Sequence, residues 1–442
     1  MTQPWQKASP SFGWPAEGQP ISEPEIEEQL HRRLIQEIDD SVLRGLDSEH
    51  AREPIERAAR QLSTQFFPSL VGDAKEEIIA HVVNEVLGLG PIEPLIRDPS
   101  ISEVMVNAPD EVYYERDGVI YRSGIAFRDQ AHVMQVADRI VSSIGRHVDE
   151  ASPMVDARLA DGSRVNIVIP PLVPRSTTIT IRKFRGDRYQ MKDLVNSGTL
   201  STGIAWLLEA CIKAKLNVVV SGGTGTGKTT MLNALSAFIP DRERIVTIED
   251  PIELRLQQAH VIAMEARPPS IEGKGEVTQR ELLRNALRMR PDRILVGEVR
   301  GPEAFDMMQA MNTGHEGSLT TVHANSPRDA LARIENMVLM AGFELPVLVI
   351  REQMASALHI VLQLSRLPGG SRKVIQVSEV AGMEGLMVTL QDLFVFHQAG
   401  IGLEGEALGE LRATGIRPRF VDRLLAYGID LPEDVFNVAR WG

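Results

Sequence analysis

Residues 218–235 read VVVSGGTGTGKTTMLNAL: a run of valines, a glycine-rich turn, then apolar residues at helical spacing. Val218, Val219 and Val220 have the length and β-branching of a short buried strand. Met231 to Phe238 read as the helix that follows. Between them lies Gly222-x-x-x-x-Gly227-Lys228-Thr229. Glycines at a strand-to-helix turn let the backbone curl so that successive N–H groups point to one centre, and the helix N-terminus adds partial positive charge. Such a turn is a phosphate cradle formed by Gly222, Gly223, Thr224, Gly225, Thr226, Gly227, Lys228, Thr229 and Thr230. Lys228 would reach the β- and γ-phosphates, and the Thr229 hydroxyl would bind Mg²⁺. The expected ligands are therefore ATP and Mg²⁺. The plain alternative, a glycine turn with no ligand, is outweighed because strand, pattern and helix occur together.

Further apolar runs lie around this loop. LNVVVSG, RIVTIED, RILVGEV and SLTTVHA alternate with helical stretches, as in a parallel sheet covered on both faces. In such a sheet the ligand lies outside the carboxyl ends of the strands. A cradle alone binds; hydrolysis also needs a group to position water and a charge to stabilise the transition state. Glu298 stands at one strand end, able to hold the Mg²⁺ shell or to orient water. Glu249, Asp250 and Glu253 crowd another, where three acids beside a phosphate call for a cation or a water. Asp250 is expected to share in the metal site, with a helix N-cap as its ordinary alternative. His323 ends a third strand and is read as a γ-phosphate sensor, with His315 the weaker candidate.

The chain has 442 residues, net charge −13 and one cysteine. Cys211 alone excludes intrachain disulfides and cysteine-rich zinc sites, and reads as a small buried residue. The acidic balance argues against a nucleic-acid coat. No run is long and apolar enough for a membrane span, so a cytoplasmic protein held at a membrane through partners is expected. Residues 1–24 are rich in Pro, Gly, Ser and Gln and read as a disordered tail, with Trp5 and Trp14 solvated or in a docking motif. Residues 25–98 show amphipathic helical spacing (Ile26, Leu30, Leu34; a stretch from about Pro54 to Leu62; Ile78 to Val86) and form a small bundle. Residues 99–185 alternate as strands around one helix, with a turn at Asp117-Gly118 and a hairpin around Asp161-Gly162, an α+β domain. Residues 186–199 read as a polar linker, and 200–442 as the nucleotide-binding α/β domain with a less legible end from about 400.

GGTGTGKTT, TIEDPIEL, RPDRILVGEVRGPEAFDMMQAMNTGHEGSLTTVHANSPRDAL and ASPMVDARLADGSRVNIVIPPL together resemble the ATPase superfamily of type II and type IV secretion systems. SEVMVNAPDEVYYERDG and RPPSIEGKGEVTQRELLRNALRMRPDR bring the resemblance close to the tight-adherence pilus ATPases, CpaF or TadA. It covers roughly residues 75–400. The resemblance implies a RecA-like domain joined through a linker to an N-terminal α/β domain, and a homo-hexameric ring. It implies ATP hydrolysis driving pilus assembly or retraction through an inner-membrane platform protein. It makes Glu298 an atypical Walker B acid, Glu249, Asp250 and Glu253 an Asp box, and His323 a His box. It implies arginines brought from the N-terminal domain to the γ-phosphate, for which Arg158 and Arg164 stand at matching places, with Arg182 a third choice. A four-cysteine zinc insertion, usual in type II secretion and pilus-extension ATPases, cannot be built from Cys211 alone. The rival readings are a related secretion or conjugation ATPase, a nucleic-acid translocase, and a nucleotide-sensing scaffold without turnover. The absence of a basic-aromatic stretch weighs against the second and the set of acids against the third.

Overall fold

A computed structural model describes residues 22–37, 48–116, 118–184, 189–269, 274–402, 405 and 407–436. The expectations for the tail up to 21, Trp5 and Trp14 included, for Asp117 and for 186–188 lie outside these residues. The chain divides into two compact units at Gly186/Asp187.

The first unit opens with helices α1 (Glu23–Glu37), α2 (Ser48–Phe66) and α3 (Asp73–Leu87). They close on a core of their own through Ile26, Leu30, Leu34, Ile55, Ala59, Leu62, Ile78, Ile79, Val82 and Val83. Each fully buried Leu, Ile or Val side chain among them contributes about 1.5–3 kcal/mol. Helix α2 starts at Ser48 rather than near Pro54, so Pro54 lies inside it. A short helix α4 (Glu93–Arg97) leads to strands β1 (Ile101–Ala108), β2 (Glu111–Arg116) and β3 (Val119–Arg122). Helix α5 (Gln130–Ser142) and strands β4 (Met154–Arg158), β5 (Arg164–Val168) and β6 (Thr178–Arg182) complete the unit. The strands form one antiparallel sheet, β3-β2-β1-β6-β5-β4. Its period-two pattern sends Val104, Val106, Val165, Ile167, Ile179 and Ile181 into a core shared with Val133, Val136, Ala137 and Ile140 of α5.

The expected linker 186–199 is corrected in part: Met191–Asn196 form helix α6 of the second unit. Asp193 Oδ2 accepts from the Gln190 N–H at 2.8 Å, and Met191 and Leu194 join the core, so this polar stretch has its own start signal and apolar anchors. Then follow α7 (Thr202–Lys213), β7 (Val218–Gly222), α8 (Lys228–Ser236), β8 (Ile245–Glu249), β9 (Val261–Glu265), α9 (Gln279–Ala286) and β10 (Arg293–Val296). After these come α10 (Glu303–Asn312), β11 (Leu319–Val322), α11 (Pro327–Leu339), α12 (Val347–Ala357), β12 (Ile360–Arg366), β13 (Arg372–Glu384), β14 (Met387–Ile401), β15 (Ala407–Ala413) and α13 (Val421–Ala426). The nine strands order as β15-β14-β13-β12-β7-β11-β10-β8-β9. From β12 to β9 every pair is parallel, and from β12 to β15 every pair is antiparallel. Both faces of the parallel centre are covered. Val218 and Val220 enter one core with Leu295 and Leu362, while Val219 enters the other with Ile294, Val296 and Val361.

The end of the sheet where the strands begin is pinned by Arg293, whose side chain is wholly buried. It donates to Glu243 Oε2 at 2.5 Å, the Gly317 carbonyl at 3.1 Å and the Ile212 carbonyl at 2.8 Å. Gly317 has φ +81°, and a Cβ there would overlap the guanidinium. At the same end His359 Nδ1 accepts from the Asn217 N–H at 3.1 Å. Among the described residues no single helix is long and apolar enough to cross a membrane.

Candidate functional site

The glycine-rich loop leaves β7 at Gly222 and enters α8 at Gly227, with Gly225 and Gly227 at φ +69° and +93°. Left-handed backbone at both positions suits glycine, and it turns the loop around a hollow. A Cβ on Gly222 would sit 2.5 Å from Thr226 Oγ1 and 2.9 Å from the Leu364 carbonyl oxygen, so only glycine passes between them. The loop is braced from within: Thr226 Oγ1 and Lys228 Nζ both donate to the Gly223 carbonyl, each at 2.9 Å. Gly223, Thr224 and Gly225 remain open to solvent to differing degrees, and Thr229 and Thr230 lie half-buried in the first turn of α8. A loop of this shape at a helix N-terminus fits a phosphate chain.

The acids arrive on neighbouring strands. Glu249, the last residue of β8, is 1% exposed, and its Oε2 accepts from the Glu253 and Leu254 N–H groups at 2.7 and 2.8 Å. It thus organises its own loop. Burial pushes its carboxyl up from the usual range, against those two N–H donors and the nearby Thr247 hydroxyl. Its Oε1 is buried outside hydrogen-bonding geometry with any neighbour. Asp250 is exposed and Glu253 half-buried on the turn that follows.

Glu298 stands past β10, after Gly297, whose N–H donates to the Ile248 carbonyl at 2.9 Å. Its Oε2 accepts from both Nε and Nη2 of Arg300, at 3.0 and 2.7 Å. Arg300 is held still more firmly charged, first by that contact and further by the fields of Asp250 and Glu253. Its charge lies among those of three acids, and the sequence analysis gave it no role. The signal was present, since Arg300 stands two residues beyond the acid in GEVRG.

His323 follows β11, half-buried. Burial first, and then the positive field of Lys228, lower its pKa, while the field of Glu298 opposes them. Lys228, Glu298 and His323 therefore share one electrostatic neighbourhood, at the carboxyl ends of β7, β10 and β11. His315 precedes β11 and belongs to the other end of the sheet.

The upstream arginines form an array that no sequence spacing reveals. Arg158 pairs directly with Arg164 across β4 and β5, and Arg164 with Arg182 across β5 and β6. Directly paired residues project to one face, here the face opposite α5. Arg182 Nε lies 3.6 Å from Glu103 Oε1, and Arg158 Nε donates to the Gly162 carbonyl at 3.3 Å. All three candidates thus stand in a single row on the first unit. A second residue missed from sequence is Arg372, whose Nε donates to the Gly225 carbonyl at 2.9 Å.

Among the described residues no cluster of three or more His, Cys, Asp or Glu side chains is placed to hold a metal by itself.

The fold is that of a mixed α/β chain with an N-terminal domain and a C-terminal ATPase domain. The model of the family described as "Type II/IV secretion system protein" matches residues 85–388, and the chain belongs to that family, which is one of ATPases. A Mycobacterium tuberculosis (strain H37Rv) protein provisionally named for conjugal transfer is 36% identical over 352 residues, 77% of this chain and 98% of that one. The type IV secretion system protein VirB11 of Bartonella henselae is 32% identical over 338 residues, 66% of this chain and 92% of that one. The solved VirB11 ATPase of the Brucella suis type IV secretion system is 30% identical and covers 65% of this chain and 94% of its own. Its TM-score of 0.36 is too low to transfer any geometry.

Proposed function

We propose that the chain is an ATP-hydrolysing motor of a tight-adherence pilus, working as a homo-hexamer at the inner face of the cytoplasmic membrane. Its partners in this reading are inner-membrane platform proteins, with no direct nucleic acid. The observation that carries hydrolysis is the shared neighbourhood of Lys228, Glu298 and His323 at three adjacent strand ends. The tight-adherence assignment rests on SEVMVNAPDEVYYERDG and on RPPSIEGKGEVTQRELLRNALRMRPDR. The relative named for conjugal transfer, matched over nearly its whole length, favours a second reading: a secretion or conjugation ATPase on the same scaffold with another cargo.

In the proposed chemistry Gly222 to Thr230 hold the phosphates. Lys228 exchanges the Gly223 carbonyl for phosphate oxygens. Thr229, Glu298 and Asp250, in part through water, would hold Mg²⁺, which would neutralise phosphate charge. Glu298 orients the attacking water once Arg300 yields it. Glu249 and Glu253 keep the acid loop in place, and His323 senses the γ-phosphate edge. Arg158 and Arg164, with Arg182 as the third choice, supply charge to the transition state.

Steady-state ATP hydrolysis, followed against protein concentration for wild type and Glu298→Gln, tests the reading. A specific rate that climbs with concentration and falls about 10³-fold in the variant is expected. Equal rates in the two proteins would remove Glu298 from the chemistry. A concentration-independent rate would remove the ring from turnover.

A further inference from the structure

We infer that the β12–β13 hairpin couples the glycine-rich loop to the segment leading in from the first unit, with Arg372 and Lys373 as its two grips. The inference rests on the nucleotide-binding reading above. Strand β12 runs beside β7, Ile360–Leu364 pairing with Val218–Gly222, and continues past it. Ser365 and Arg366 pair with Lys373 and Arg372 of β13 alone, so the hairpin overhangs the phosphate end of the sheet. The Leu364 carbonyl oxygen already limits what can stand at Gly222.

Consecutive strand residues point to opposite faces, and the start of β13 uses this. Arg372 reaches the loop: Nε donates to the Gly225 carbonyl, and Cδ lies 3.6 Å from the place of a Cβ on Gly227. Lys373 reaches the other way, Nζ donating to the Gly198 carbonyl at 3.0 Å. The Val374 N–H donates to the Thr199 carbonyl at 2.8 Å. Gly198 and Thr199 close the turn after α6, where Ser197 Oγ and Thr199 Oγ1 lie 3.0 Å apart. Arg372 to Val374 thus hold the nucleotide loop on one side and the end of the incoming segment on the other.

Phosphate binding draws Lys228 off the Gly223 carbonyl and resets the peptide planes of the loop. The Gly225 carbonyl moves with them, and Arg372 follows. Lys373 and Val374, on the same stiff strand, carry the shift to Gly198 and Thr199. Both basic residues are positioning residues in this scheme, acting through backbone carbonyls.

The test is hydrogen exchange on the full chain, with and without saturating ADP and Mg²⁺, read over residues 189–200, with ADP affinity measured in parallel. In wild type ADP is expected to slow exchange there about tenfold. Arg372→Ala should bind ADP roughly tenfold more weakly, as loss of one charge-assisted hydrogen bond implies, and at saturation should show no slowing. Lys373→Ala should keep its affinity within about twofold and also lose the slowing. Arg372→Lys, which retains one donor, should recover part of both effects. Wild-type slowing that persists in both alanine variants at saturation overturns the coupling, as does ADP binding to wild type without change at 189–200. No ADP binding by wild type would instead bring down the nucleotide reading and the coupling with it.

Discussion

In the first unit a six-stranded antiparallel sheet buries one face under α5 and turns the other to Asp156, Arg158, Arg164, Asn166 and Arg182. In the second, the parallel centre of a nine-stranded sheet is covered on both faces. A half-covered sheet can carry charge anywhere along its open face. A fully covered one has only its two ends, and here they differ. At the carboxyl ends stand the glycine-rich loop, Glu249, Glu298 and His323, with Lys228, Glu249 and Glu298 each hydrogen-bonded to a neighbour in its own loop. At the other end Arg293 and Asn217 are buried and His359 is half-buried, all three hydrogen-bonded into place. The proposed chemistry and the anchorage occupy opposite ends of one sheet.

That division can be broken by substitution. Lys228→Ala, at the carboxyl end, should lower kcat/KM for ATP by about 10³-fold and leave the urea midpoint where it was. A shifted midpoint would mean that the loop also holds the fold. Glu243→Gln, at the anchoring end, leaves the Arg293 cation buried beside a neutral partner and should cost about 3 kcal/mol or more in urea unfolding. A loss below 1 kcal/mol would show that the pinned end is not where stability lies.

Acid should act at the anchoring end too. Burial, aided by the nearby Arg423, depresses the His359 pKa from 6.5 to about 4. A depressed pKa means that the folded state binds fewer protons than the unfolded one. The stability His359 contributes is therefore present above pH 6.5 and lost as pH falls through about 4. The loss should be on the order of 3 kcal/mol, and His359→Asn should flatten the profile between those limits. Equal profiles for both proteins would assign the acid sensitivity elsewhere.

The smallest expected effect belongs to the open face of the first unit. Replacing Arg158 and Arg164 together by alanine should lower turnover about tenfold or more while changing unfolding by less than about 1 kcal/mol. Unchanged turnover would remove the arginine row from the reaction.

What sequence made legible follows the same division. The glycine-rich loop and the four central strands were readable because continuous runs of apolar and β-branched residues have few alternatives in a doubly covered sheet. Strand β9 was missed: Val261–Glu265 is a half-buried edge whose pattern, VIAME, lacks that continuity. The 15-residue β14 carries mixed polar and apolar positions along most of its length, so its pairing with β13 and β15 sets its state. Helix α6 was hidden because only Met191 and Leu194 of its six residues are buried, with Val195 partly buried against the same core. The resemblance points to Arg158 and Arg164, with Arg182 a third choice, but their row depends on strand register. Arg372 lies 147 residues from the carbonyl it grips, and nothing short of the strand order places it there.

The Arg293 guanidinium also has a meaning for descent. It fills the space that a side chain at position 317 would need, 24 residues away in sequence. Adding a side chain at 317 while Arg293 remains creates a clash, and removing Arg293 while Glu243 remains strands a buried carboxylate. No single step leads from this arrangement to an apolar one without passing through a damaged protein. Positions 243, 293 and 317 should therefore be inherited as one character, exchanged together or kept together, however freely the exposed face of the first unit varies.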